Sequence, residues 1–276
     1  MKPRGVRRSV ARMFPVLLRI GDFTIYSYGV MLFVAFLVGF WQVVRRAWRF
    51  GVSPQQVTGL ALLAIVAGVV GARLFYVALH WGEFRYDLVS IVAFWRGGLS
   101  GMVFFGGALA VFAVILVYAL VKKLPKLKML DAIAPAIVLG QGITRIGCFL
   151  NGCCFGKPTN LPVGVVFPAN SGAGRVFPGQ PIHPTQLYSS IAGFALFILA
   201  LWLERRNLKD GVLWAILVVL TSLFRFLVDF LRHYENGANF WSNQVVAIGL
   251  IAFGAVCFVV LLRRKSSPFP CAGPNE

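Results

Sequence analysis

Several ionisable side chains stand inside stretches that are otherwise apolar. They are Arg73 in GARLFY, Asp131 at the start of a run over 130–150, Arg145 in QGITRIGCF, and Arg225 and Asp229 in FRFLVDFLR. A charge at mid-bilayer costs about 2.5–3.5 kcal/mol on insertion scales, so each of these needs a partner or a polar cavity. Arg225, Asp229 and Arg232 follow at i, i+4 and i+7 and share one helix face, where Arg225 and Asp229 could simply neutralise each other. Arg145 has no acidic residue within one turn. A guanidinium is a planar fork of donors suited to phosphate, and the headgroup of an anionic phospholipid is the phosphate most available at that depth. These residues alone point to a phospholipid-binding cavity. Structural pairing or snorkelling remains the competing reading, most credible for Arg73.

Three further motifs accompany them. WRGGLSGMVFFGGALA (95–110) holds the pairs Gly97–Gly98 and Gly106–Gly107, which permit either close helix packing or close approach of backbone to a ligand. HPTQLY (183–188) places His183, Thr185, Gln186 and Tyr188 where a loop re-enters an apolar run, with Pro184 suited to a first helical turn. Polar groups at that level could meet a headgroup, although a lone histidine there is more often a hydrogen-bonding anchor than a base. RIGCFLNGCCFG (145–156) combines an arginine, Asn151 and three cysteines. Cys148, Cys153 and Cys154 lack a CxxC pair, so neither a zinc site nor thioredoxin-type redox chemistry is expected. Cys257 reads as a small buried hydrophobe; Cys271 lies in a Pro-rich tail.

The elements that carry these residues are membrane spans. Of 276 residues 58% are hydrophobic and 13% charged, with a mean hydropathy of +0.78, against about a quarter charged in a soluble domain. That excludes a disordered chain, a coiled coil and an ordinary soluble enzyme. Seven apolar runs, 24–44, 57–79, 99–121, 130–150, 187–203, 211–231 and 244–262, predict an all-α integral membrane protein of seven transmembrane helices. The fourth run reads as interrupted by Pro135 and its glycines, which marks it as a place to look for a cavity. The 151–186 stretch, rich in Gly, Pro and Asn, is expected to form a small outer subdomain within a 24–262 domain.

The net charge of +18 lies in short bursts between runs, without the basic stripe interleaved with aromatics that nucleic acid would need. Arg45, Arg46, Arg49, Lys122, Lys123, Lys126, Lys128, Arg205, Arg206, Lys209, Arg263, Arg264 and Lys265 fall on one side. Arg85, Arg96, Lys157, Arg175 and Arg232 fall on the other. The positive-inside rule then puts the N-terminus outside and the C-terminal tail, 263–276, in the cytoplasm. The basic extension within 1–23 resists export, and a natural start at Met13 would remove most of its charge. It is not a signal peptide, since no small-residue cleavage site follows it. No internal repeat is visible, which weakens the alternative of a lipid or anion transporter.

In order and placement, YSYG (26–29), GARLFY (71–76), GGLSGMVFFGG (97–107), the Asp131–Gly156 stretch, VVFP (165–168), HPTQLY and FRFLVDFLR resemble bacterial prolipoprotein diacylglyceryl transferases, from about Pro15 to Leu262. The resemblance implies an enzyme of the bacterial cytoplasmic membrane with no cofactor or metal. Its substrates would be phosphatidylglycerol and the lipobox cysteine of prolipoprotein signal peptides. A thioether forms and glycerol 1-phosphate leaves. It implies catalytic roles for Arg145, Arg225 and Tyr28. It further implies substrate-binding roles for Arg145, Asn151, Gly156, Gly97, Gly98, Gly106, Gly107, His183, Gln186 and Arg232, with Asp229 and Arg232 a neighbouring acidic–basic pair. The chain departs from the family's pattern at Phe105, where a histidine proposed as base is usual, at Cys148, Cys153 and Cys154, and at Ser189. The departures leave open a family paralogue with a different acceptor.

Overall fold

The computed structural model describes residues 14–21, 23–91, 104–206, 208–234 and 237–264. The basic residues before Met13, Met13 itself, Gly97, Gly98, Arg96, Lys265 and Cys271 lie outside them. Among the described residues, six helices are long and apolar enough to cross a membrane: Ser27–Phe50, Pro54–Leu79, Lys126–Asn151, Thr185–Glu204, Val212–Asp229 and Phe240–Arg263. A shorter apolar helix spans Leu109–Val121. Leu62, Val66, Leu109, Ile198, Val245 and Val260 are each more than half exposed. Water would penalise that much bare hydrocarbon, whereas lipid does not. The protein is a multi-pass membrane protein.

The chain divides into two compact units, residues 1–39 with 133–276 and residues 40–132. The first begins with a hairpin where the sequence suggested the start of a span. Strand β1 (Val16–Ile20) pairs antiparallel with β2 (Phe23–Tyr26), with Gly21 at positive φ in the turn. Aromatic and β-branched side chains in FTIY favour a pleated ribbon over a helix. The helix therefore starts only at Ser27, as α1 (Ser27–Arg46). Ser27 is fully buried; its N–H donates to the Pro15 carbonyl at 2.9 Å and its hydroxyl to that of Phe14, tying the ribbon to the helix.

The fourth apolar run is not interrupted. In α5 (Lys126–Asn151) the helix continues through Pro135, whose ring is fully buried. Proline removes one hydrogen bond, and tight neighbours offset that loss. Within this unit, Ile143 and Leu139 of α5 pack with Ala35 of α1, and Phe194 and Phe197 of α7 (Thr185–Glu204) join them. Ala134 packs with Ala200, Leu213 and Leu217, the last two from α8 (Val212–Asp229). Ser190 donates to the Gly142 carbonyl at 2.8 Å across the α5–α7 contact. The last long helix, α9, covers Gly237–Arg263. The 151–186 stretch carries short elements of its own. It holds β3 (Val165–Val166), α6 (Gly172–Val176) and β4 (Pro181–Ile182). Its core is Phe167, Ala173 and Ile182, with Phe149, Phe155 and Phe177 against it.

In the second unit, α2 (Pro54–Leu79) starts with a full capping box, Ser53 and Gln56 satisfying each other's backbone N–H, and Pro54 in the first turn. A short helix, α3 (Trp81–Phe84), follows. Helix α2 packs on α4 (Phe104–Val121) at a contact made by glycines. A Cβ on Gly106 would stand 2.2 Å from Phe75 Cβ and 2.6 Å from the Gly71 carbonyl oxygen; one on Gly107 would stand 2.9 Å from the Gly68 oxygen. The same unit settles Arg73. Its Nε donates to the Ile91 carbonyl at 3.0 Å and Nη2 to that of Ser90 at 2.7 Å, with the guanidinium over the Phe84 ring at 5.2 Å. Its role here is structural.

Gly106→Ala is expected to force α2 and α4 apart and to cost about 1–3 kcal/mol, the range for overpacking a close contact. Denaturation of the purified protein in mild detergent, with Gly82→Ala as a control where the added Cβ meets nothing within 4 Å, measures it.

Candidate functional site

The C-terminal ends of α5 and α8 and the N-terminal end of α7 are stitched together by residues 152–157 and 183–184. The Gly156 N–H donates to the His183 carbonyl at 3.0 Å and the Lys157 N–H to that of Leu231 at 2.8 Å. The His183 and His233 N–H groups return bonds to the Lys157 and Phe155 carbonyls at 3.0 and 3.1 Å. Gly156 therefore runs as an isolated antiparallel bridge opposite Arg232. A Cβ at Gly156 would lie 2.6 Å from both the Cβ and the carbonyl oxygen of His183, and 2.8 Å from the Leu231 oxygen. Only glycine admits three backbones this close.

Polar side chains of HPTQLY hold the same loop. Thr185 Oγ1 donates to the Cys154 carbonyl at 2.9 Å and Gln186 Nε2 to that of Cys153 at 2.7 Å. Both are almost fully buried, and Gln186 Oε1 has no hydrogen-bond partner among the described residues. His183 Nδ1 lies 3.3 Å from the Tyr188 hydroxyl.

The cations have unequal surroundings. Arg225 Nε lies 3.1 Å from Asp229 Oδ2, and its Nη2 donates to the Tyr234 hydroxyl at 3.0 Å. That hydroxyl donates to Asp229 Oδ1 at 2.9 Å, closing a ring of three groups around a carboxylate with no exposed surface. Asp229 thus pairs with Arg225, whereas the resemblance set it beside Arg232. The Arg232 guanidinium lies over the Tyr234 ring at 5.2 Å. Burial pushes the Tyr234 hydroxyl above its ordinary pKa, which keeps it a neutral donor to Asp229. Arg145 makes no hydrogen bond or ion pair among the described residues. Its charge acts on Tyr28, Cys154 and Arg225, so all four share one neighbourhood. Close packing of α1 over α5 brings Tyr28 there: a Cβ on Gly147 would stand 3.3 Å from Tyr28 Cα.

The sulfurs of Cys148, Cys153 and Cys154 lie within 4.8 Å of one another, all as free thiols. Gly152 and Cys154 both have positive φ, 70° and 59°, and that reversal folds the later cysteines back onto the helix end. The spacing 148, 153, 154 gave no sign of it, because the turn depends on left-handed residues on either side of Cys153. The Cys154 thiol is pushed down from its ordinary pKa by hydrogen bonds from Cys148 and Cys153 and by the charges of Arg232 and Arg145.

Of the residues singled out by sequence, this unit gathers Tyr28, Arg145, Asn151, Gly156, His183, Gln186, Arg225 and Arg232. Asn151 closes α5, its side chain within hydrogen-bonding reach of Cys153. Gly106 and Gly107 belong to the other unit, at the α2–α4 contact. Tyr234, Thr185 and the convergence of the thiols were not anticipated. Tyr234 lies five residues past Asp229, beyond the helix end, where no periodicity links them.

A family model described as prolipoprotein diacylglyceryl transferase matches residues 15–260. Relatives called phosphatidylglycerol–prolipoprotein diacylglyceryl transferase include that of Clostridium tetani, 32% identical over 255 residues, covering 92% of this chain and 100% of that protein. The Thermosynechococcus vestitus protein is 34% identical over 241 residues, 86% of this chain and 89% of the other. The Bordetella avium protein is 32% identical over 263 residues, 91% and 96% respectively.

Asp229→Asn leaves the half-buried Arg225 without its counter-charge and is expected to cost less than the ~3–5 kcal/mol of a fully buried pair, because the guanidinium is partly exposed. Tyr234→Phe removes only a hydroxyl shared between charged groups, about 1.5–3 kcal/mol. Unfolding of both variants in detergent checks the order: a Tyr234→Phe loss equal to that of Asp229→Asn would refute the ion-pair account.

Proposed function

Because the chain belongs to the prolipoprotein diacylglyceryl transferase family, we propose that it transfers the diacylglyceryl group of phosphatidylglycerol to the thiol of a lipobox cysteine in a prolipoprotein, releasing glycerol 1-phosphate. The observation that carries the site assignment is Arg145: a cation on a membrane-spanning helix with no carboxylate on it among the described residues, beside Tyr28 and the 152–157 loop. Phosphate oxygens of the lipid headgroup supply the missing negative charge, and the negative charge that develops on the leaving ester oxygen strengthens the contact as the bond breaks. Arg225 contributes one remaining edge. Its Nε and Nη2 are committed to Asp229 and Tyr234, which fixes the direction of Nη1.

In this reading Arg232, released from any pairing with Asp229, serves as the second phosphate-binding cation. Gly156, Asn151, His183 and Gln186 act through the loop, holding backbone and thiols in place. Gly106 and Gly107 support the fold by close helix contact. The apolar helix α4 is the third of seven crossings. The basic loops set the N-terminus outside, the C-terminus in the cytoplasm, and the 151–186 subdomain on the outer face of a bacterial cytoplasmic membrane. That is the side on which a secreted precursor presents its cysteine.

Arg145→Ala is expected to lower kcat for diacylglyceryl transfer to a lipobox peptide by about 10²–10³, the usual loss of one oxyanion donor. Arg145→Lys should recover part of it, since charge is kept and the fork is lost. Mass analysis of the peptide after incubation with phosphatidylglycerol vesicles measures the adduct. Full transfer by a normally folded Arg145→Ala would overturn the assignment.

A further inference from the structure

We propose that Cys148, Cys153 and Cys154 form a binding site for a thiophilic d10 cation, zinc(II) above all, with the fourth coordination position open to the thiol of the acceptor. The second half of this inference rests on the transferase reading; the first half does not.

Geometry comes first. Tetrahedral zinc with bonds of about 2.3 Å to thiolate sets sulfur–sulfur edges of about 3.8 Å. The three sulfurs are mutually within 4.8 Å, so closing on an ion requires movements of no more than about 1 Å. No disulfide joins them. Cys148 is buried and offers its sulfur from the end of α5, while Cys153 and Cys154 are partly exposed. The group is thus walled on the helix side and reachable on the other.

The backbone that delivers the sulfurs is held firmly. Cys154 keeps a left-handed φ of 59°, a conformation that costs a residue with a Cβ about 1–3 kcal/mol and persists only where the surroundings enforce it. Here they do. The Cys153 N–H donates to the Cys148 carbonyl at 3.1 Å, and the carbonyls of Cys153 and Cys154 are taken by buried Gln186 and Thr185. Strained, rigidly held backbone carrying three soft ligands is how a protein builds a metal centre in advance of the metal.

Charge also balances. Three thiolates on a dication leave one net negative charge, and Arg145 and Arg232 stand close enough to act on Cys154. Neither guanidinium has a carboxylate partner among the described residues. No fourth His, Cys, Asp or Glu joins the group among the described residues. Three protein ligands and one vacancy are the pattern of a catalytic rather than a structural zinc site.

A thiol that enters the vacancy binds as thiolate and releases its proton to solvent. In the transfer step its sulfur attacks the glyceryl carbon that bears the phosphate ester. The C–S bond forms, the C–O bond breaks, and the bonding electron pair leaves on the phosphate oxygen of glycerol 1-phosphate. The thioether product, a weaker ligand than thiolate, then leaves the ion.

Metal-free protein, purified in detergent with a non-thiol reductant, would be titrated with cobalt(II) as a spectroscopic stand-in for zinc. The expected result is one cobalt per chain, with thiolate-to-metal charge transfer and tetrahedral visible bands, displaced by one equivalent of zinc. Cys148→Ser and Cys154→Ser should weaken binding by about 100-fold or more, while Cys257→Ser should not. A lipobox peptide with cysteine should shift the visible bands; the same peptide with serine should not. Absence of stoichiometric binding, or unchanged binding in Cys154→Ser, overturns the site. A spectrum indifferent to the cysteine peptide overturns the open-position role. Should the variants unfold, alkylation of the unaltered protein decides: zinc should slow modification of these three cysteines about tenfold and spare Cys257, and no protection overturns the site. Diacylglyceryl transfer is assayed separately. Cobalt binding without transfer defeats the transferase reading alone, and full transfer after metal removal defeats the thiol role alone.

Discussion

Positive charge placed among apolar helices has to be answered by something, and Arg73, Arg145 and Arg225 are answered in three different ways. Arg73 spends its donors on the carbonyls of Ser90 and Ile91 and lies over an aromatic ring. Arg225 is locked to Asp229 and Tyr234. Arg145 has neither carbonyl nor carboxylate among the described residues. Since an unanswered guanidinium at depth costs several kcal/mol, in the proposed function its anion comes from outside, as lipid phosphate. The proposed site assignment therefore rests on Arg145, with the paired Arg225 as a fixed neighbour rather than an equal partner.

The same scarcity of water explains the loop. Irregular backbone near the hydrocarbon must have its N–H and C=O groups satisfied by protein. Residues 152–157 meet that demand by bridging to His183 and to Leu231–His233, and by lending two carbonyls to Thr185 and Gln186. What reads in sequence as a polar patch ready for a headgroup is, in the fold, largely occupied in holding the loop. That occupation is useful. In the proposed reaction, donors and thiols that are already fixed lose little freedom when substrate arrives, so their interaction is available to the transition state.

Most of the architecture was legible because a bilayer leaves few options: apolar runs of about 20 residues become helices. The end of α7 at Glu204 and its start beside Pro184 both follow from patterns visible along the chain. Two local features did not. Proline in α5 suggested a break, yet tight packing around the buried ring lets the helix run on. The β-branched and aromatic residues at 23–26 lay hidden at the head of an apolar run. In the site, the i, i+4 spacing exposed the Arg225–Asp229 pair, and the isolation of Arg145 was equally plain. The closure of Tyr234 onto that pair and the meeting of Cys148 with Cys153 and Cys154 were not, because both depend on turns whose dihedrals no residue type dictates. The glycines at 106 and 107 were ambiguous for another reason: close helix contact and close ligand approach demand the same absent side chain.

Adjacency of the thiols to Arg145 has a mechanistic consequence of its own. In a displacement at carbon, nucleophile and leaving oxygen sit on opposite sides of one atom, so the groups that serve them must be neighbours without being the same group. A cation that touched both sulfur and phosphate equally would stabilise thiolate before reaction as much as phosphate after it, and would leave the barrier where it was. In the proposed reaction a thiophilic ion on the three cysteines serves the sulfur side and the Arg145 guanidinium fork the phosphate side, which separates the two tasks. Charge then moves during the reaction from a sulfur held by polarisable partners toward an oxygen met by directional donors, and only the second interaction grows at the transition state. In the proposed reaction the arginine, rather than the thiol cluster, therefore carries the larger share of rate acceleration, while the cluster governs which nucleophile is admitted.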